Sequence, residues 1–161
     1  MNILAIDTAT KCGWAHSCGV SGVWNFTAKR DESRDIRLLR FCQSLDTMVA
    51  THGKIDLVAF ESARHAAPGM QGALVVQSEM QGVLKSWCLS VGVMYIGFSA
   101  ATIKKFATGK GNAKKPQMIA AAELRFDFPV IDDNHADALW ILEFARNEFP
   151  QGLPSGFTPT D

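Results

Sequence analysis

Short apolar runs alternate with longer stretches of helical spacing along this chain. Residues 2–7, 13–19 and 22–28 read as three strands, with Lys11-Cys12-Gly13 and Gly19-Val20-Ser21-Gly22 supplying turn chemistry between them. Connections this short exclude a crossover, so the three strands form an antiparallel meander. Residues 33–52 place Ile36, Leu39, Phe41, Leu45, Met48 and Val49 at helical spacing, with Ser33 positioned to cap the start and Gly53 to end the helix. Residues 56–60, Asp56-Leu57-Val58-Ala59-Phe60, read as a buried strand. The helix before it makes it a parallel neighbour of the first strand.

A second long helical stretch covers residues 69–90. Its Gly69, Gly72 and Gly82 each cost about 1 kcal/mol against alanine, and point to close approach of another helix or to a two-fold dimer interface. Residues 92–97 form a fifth strand, and Ser99 caps a helix near 100–107 that Gly109-Lys110-Gly111 breaks. Further helices follow near 114–126 and 134–148. The order β-β-β-α-β-α-β-α-α-α predicts an α/β domain over residues 1–150, a five-stranded mixed sheet with helices on both faces. Residues 151–161 are expected to be an irregular tail.

Composition narrows the class. The chain has 161 residues, is 47% hydrophobic and carries no formal net charge. Its mean hydropathy is +0.03. One soluble domain with a substantial core is expected. No apolar run approaches the roughly 18 residues of a membrane-spanning helix, and no secretory signal is apparent. Cys12, Cys18, Cys42 and Cys88 form no CxxC pair, so they read as reduced thiols of a cytoplasmic protein.

Candidate chemistry lies in the acids. Asp7 ends the first apolar strand and Glu61 follows the fourth, while Asp137 sits mid-helix between Ala136 and Ala138-Leu139-Trp140. An ionised carboxylate enclosed by apolar residues needs compensation, and a metal ion supplies it. Taken singly, each acid has a plainer role: Asp7 in a turn, Glu61 at a strand end, Asp132 or Asp133 as a helix cap. Together they suit a two-metal phosphodiesterase site. Asp133 and Asn134 lie within a turn of Asp137 on the same helix, and His135 is a third neighbour.

Charge is also unevenly spread. No acid occurs between Glu79 and Glu123, a stretch that holds Lys85, Lys104, Lys105, Lys110, Lys114 and Lys115. This basic region beside an acid cluster suits phosphate contacts. Arg64 and His65, after Glu61, fall in an expected loop within reach of a substrate backbone, though His65 is a poor metal-ligand candidate.

At this point the chain resembles the RuvC-type Holliday junction resolvases of the RNase H-like superfamily. Ile3-Leu4-Ala5-Ile6-Asp7 with Gly13-Trp14-Ala15 looks like their first motif, and Ala59-Phe60-Glu61 like the second. The most specific match runs from Ile103-Lys104-Lys105 through Thr108-Gly109-Lys110-Gly111-Asn112-Ala113-Lys114-Lys115-Pro116-Gln117, followed by Ala136-Asp137-Ala138-Leu139. Order and spacing agree over about residues 2–146, and the chain's shortness and divergence resemble phage-type members. The resemblance implies an RNase H-like fold, a homodimer in a bacterial or phage-infected cytoplasm, and cutting of four-way DNA junctions. Two Mg²⁺ ions, replaceable by Mn²⁺, would be held by Asp7, Glu61, Asp137 and Asp133, leaving 5′-phosphate and 3′-hydroxyl ends. Lys104, Lys105, Lys110, Lys114, Lys115 and Arg64 would hold DNA. The family places an acid or histidine where this chain has Asn134, so Asn134 or His135 are alternatives to Asp133 as fourth ligand. Rival readings are an RNase H-like nuclease for RNA, forks or flaps, and a non-catalytic junction-binding protein. An actin-like ATPase or sugar kinase is disfavoured, because Asp7-Thr8-Ala9-Thr10-Lys11 lacks the glycines of a phosphate loop and the chain is short for two lobes.

Overall fold

The structure is a computed structural model and describes residues 1–62 and 71–160. Its sheet contains β1 (Ile3–Asp7), β2 (Lys11–His16), β3 (Ser21–Asn25), β4 (Leu57–Glu61) and β5 (Met94–Phe98) in the order β3-β2-β1-β4-β5. β1 pairs antiparallel with β2 and parallel with β4, and β4 pairs parallel with β5. The helices are α1 (Ile36–His52), α2 (described from Gln71 to Val91), α3 (Ala100–Thr108), α4 (Lys115–Phe126) and α5 (Asp133–Glu148). Among the described residues no helix is long and apolar enough to cross a membrane.

Strand alternation divides the core into two. Leu4, Ile6, Val58 and Phe60 face α1 and α2, where Phe41, Leu45, Met80 and Leu84 cover them. Ile3, Ala5, Leu57 and Ala59 face α3, α4 and α5. On that second face Ala15, Ala5 and Ala59 stand in register across β2, β1 and β4, all without solvent exposure. Three methyl side chains in a row leave a trough rather than a ridge. α5 lies over it with small residues of its own, Ala136, Ala138 and Ala145, also fully buried.

Two register positions further along the strands, Gly13 pairs with Asp7. A Cβ at Gly13 would lie 1.8 Å from the Asn134 carbonyl oxygen of α5. Gly13 therefore serves close approach of a helix and sits inside β2, not in a turn. The expected turn Lys11-Cys12-Gly13 is corrected accordingly: β2 begins two residues earlier than its predicted start, and the bend falls at residues 8–10. Likewise Ser21 and Gly22 belong to β3, while Gly19 (φ 98°) turns the chain.

Two other expectations are revised. α1 starts at Ile36 rather than at residue 34, because the Ser33 hydroxyl accepts from the Asp35 amide and makes a local turn. Gly72 and Gly82 meet no described atom of the chain, so neither admits another of its helices; Gly69 lies outside the described residues. Gly53 and Ser99 act as expected: Gly53 donates to the Val49 carbonyl, and the Ser99 hydroxyl accepts from the Thr102 amide.

Gly13→Ala tests the trough. The added methyl group meets backbone, which cannot rotate away, so the variant should lose about 1–3 kcal/mol or more by urea denaturation.

Candidate metal centre

The acids are assembled by register. β1 and β4 pair with one offset, Ile6 opposite Phe60, which brings Asp7 level with Glu61. Two-residue alternation puts both on the face that carries Ala5 and Ala59, towards α5. From the helix, Asp133 and Asp137 are four residues apart and share one side. The plainer capping role goes to Asp132, whose Oδ1 accepts from the His135 amide at 2.9 Å. Asp133 is thereby left as the first residue of α5, outside the cap and paired with Lys115.

The carboxylates feel one another. Burial pushes the Asp7 carboxyl well above the ordinary carboxylate range; Asp137, Glu61 and Asp133 push it further, and Lys115 opposes them. Asp137 is raised to about 7, chiefly by burial and then by Glu61, with Lys104 and Lys115 opposing. Glu61 is also raised by burial, against Lys104. Each of these acids keeps a partly exposed edge. This is the signature of a charge cluster short of cations.

The fit to divalent ions follows from the donor set. Four carboxylates offer hard oxygen ligands of the kind Mg²⁺ takes. Among the described residues no three acidic, histidine or cysteine side chains are arranged to hold an ion as they stand. The Lys115 ammonium occupies part of that role: it is ion-paired with Asp133 and acts on Asp137 and Asp7 as well.

The three contenders beside Asp137 separate clearly. Asp133 points into the electrostatic cluster. The Asn134 side-chain amide donates to Asp132 Oδ2 at 3.4 Å. His135 is buried and fully committed: its Nδ1 accepts from the Ile131 amide at 3.1 Å, leaving Nε2–H to donate to Ser21 Oγ at 2.9 Å. Burial holds its pKa down, so it is a neutral strut between α5 and β3.

The predicted basic residues also divide. Lys104 and Lys115 act on the acids, whereas Lys105, Lys110 and Lys114 are exposed and no described contact brings them to the cluster. Arg64 and His65 lie outside the described residues. Sequence reasoning overlooked Gln81. This buried side chain on α2 donates to Thr8 Oγ1 at 3.0 Å and to the Glu61 carbonyl at 2.7 Å, bracing the ends of β1 and β4. A buried glutamine in an apolar helix was its one visible signal.

No protein-family model matches the sequence, and no curated protein does. Solved structures do match. RuvC of T. thermophilus in complex with a Holliday junction substrate superposes with a TM-score of 0.71 at 17% identity, over 92% of this chain and 96% of that one. A second structure of Thermus thermophilus RuvC gives a TM-score of 0.65 at 17% identity, over 92% and 97%. The chain therefore has the RNase H-like fold of RuvC.

The raised acids set a pH dependence. The native state keeps protons that the unfolded chain releases, so without metal the stability falls as pH rises from about 4 towards about 7. Thermal unfolding in EDTA should show this decline. Asp137→Asn should flatten it and raise the neutral-pH midpoint, by about 2–4 °C for each kcal/mol relieved.

Proposed function

We propose that this protein is a structure-selective endodeoxyribonuclease that resolves four-way DNA junctions. The observation that carries the reading is the convergence of Asp7, Glu61, Asp137 and Asp133 at one end of a RuvC-like sheet, with Lys104 and Lys115 beside them. The likeness to a junction-bound RuvC favours branched DNA as substrate.

In this reading Asp7, Glu61, Asp137 and Asp133 hold two Mg²⁺ ions, with Mn²⁺ able to substitute. When bound, the ions supply Lewis-acid charge that favours attack by water on the phosphodiester and balances the leaving 3′ oxygen. The chain's own residues do the positioning. The strands fix Asp7 and Glu61, and Gln81 ties their backbones together. α5 presents Asp137 from above. Lys104 and Lys115 draw the backbone phosphate towards the acids, with Lys105, Lys110, Lys114 and Arg64 extending the track. Cleavage leaves 5′-phosphate and 3′-hydroxyl ends.

A homodimer places two such sites on opposing strands. Its support is one face of α2, where Val75, Gly82 and Leu89 recur every seven residues and are exposed. No described part of the chain meets Gly82 there.

Synthetic four-way junction, fork, flap, RNA hybrid and linear duplex, each with Mg²⁺, test the reading. Junction cleavage should dominate, and Asp7→Asn, Glu61→Gln or Asp137→Asn should abolish it while binding in EDTA persists. Asp133→Asn should lower kcat more than Asn134→Ala. Preference for another substrate marks a related nuclease, and binding without cleavage marks a junction-binding protein; either result would refute the resolvase.

A further inference from the structure

On the flank of the sheet away from the lysine-rich region, a cleft of about 290 Å³ opens beside the turn that follows Asp7. Thr10, Phe26, Thr27, Ala28, Arg34 and Arg37 line it. Thr10 belongs to the bend between β1 and β2, three residues after Asp7, and its carbonyl accepts from the Phe26 amide at 2.9 Å. The cleft thus lies at the same end of the sheet as the acids. Among the described residues, its charged lining groups are the two arginines.

Their bonding is incomplete. Arg37 Nη2 meets Glu79 Oε2 at 2.6 Å, but its Nε–H is buried with no partner among the described residues. A buried donor on a cation is costly to leave unpaired, and it calls for an acceptor. Arg34 is exposed and has no ion-pair partner among the described residues. Two of the nearby acids are engaged elsewhere: Glu32 is held by Arg40 at 2.6 Å, and Asp35 Oδ2 accepts from the Ser33 hydroxyl at 3.4 Å. Two arginine forks suit an oxyanion such as a phosphate and not a metal, while the Thr27 hydroxyl is already given to Asn25 Oδ1 at 2.7 Å.

We propose that this cleft is a second phosphate-binding subsite, which holds the DNA backbone on the far side of the acids from Lys104 and Lys115. It rests on the nuclease reading and deepens it. The strand to be cut is then gripped on both sides of the acid cluster. The sequence pattern pointed only to the acid-free lysine stretch; here the arginines are interleaved with Asp31, Glu32 and Asp35, and the net charge hides them.

The test is the salt dependence of junction binding in EDTA, where no cleavage intervenes. Each lost phosphate contact reduces the log–log salt slope by about 1. Arg34→Gln should show that reduction and weaken binding about tenfold, while Arg37→Lys, which keeps the charge but loses the guanidinium fork, should weaken binding with little change in slope. Arg37→Lys keeps a charge near Glu79 and so preserves the fold. Glu79→Gln frees Arg37 and should tighten binding, an effect a merely structural role would not produce. An unchanged slope in Arg34→Gln together with unchanged affinity in Arg37→Lys overturns the subsite while the nuclease reading stands. Protection of the wild type by inorganic phosphate with unchanged DNA slopes would mark a free-anion site and overturn the DNA role. Absence of any DNA binding by the wild type would remove the nuclease reading, and the subsite with it.

Discussion

The close approach of α5 to the sheet is the constraint from which the rest follows. It depends on small residues in one place: the alanine row Ala15, Ala5 and Ala59, then Gly13 in the next row. With larger residues there, packing would still bury apolar surface, but the helix would stand further off. Asp137 would then lift away from Asp7 and Glu61. Helix-to-sheet distance thus becomes carboxylate-to-carboxylate distance. The short Gly13–Asn134 approach and the acid cluster are two consequences of one packing decision, since Gly13 is the register partner of Asp7.

That decision has an electrostatic cost. Four acids on two strands and one helix repel one another, and burial strips the water that would screen them. The fold offsets the cost locally. Lys115 pairs with Asp133, Lys104 acts on Glu61 and Asp137, and Asp133 sits at the positive end of α5. Gln81 supplies rigidity from the opposite face, so that the strand ends cannot splay to relieve the repulsion. The cluster is strained by charge and held by packing.

Element order and type were readable because each follows from a local period: two for the strands, 3.6 for the helices. The acids were readable for a related reason, since a charge at the end of an apolar run breaks the pattern. What failed were positions with two local meanings. Gly13 has a turn residue's chemistry, and only the distant Asn134 reveals why a strand needs it. Ser33 can cap a helix or bend the chain before one, and it does the latter. Asp132 and Asp133 are both competent caps; tertiary contact with Lys115 separates them. Gln81 and Arg37 act through partners 73 and 42 residues away, respectively, which no window of sequence contains.

The two borders of the sheet are finished differently. Along β5, Gly97 donates to the Thr160 carbonyl at 2.9 Å and the Thr160 amide reaches Tyr95 at 3.3 Å. The segment near the C-terminus thereby covers backbone groups that would otherwise template another strand. β3 has no such cover among the described residues. Among the described residues, edge-to-edge addition of a strand is therefore hindered on the β5 side and left uncovered along β3.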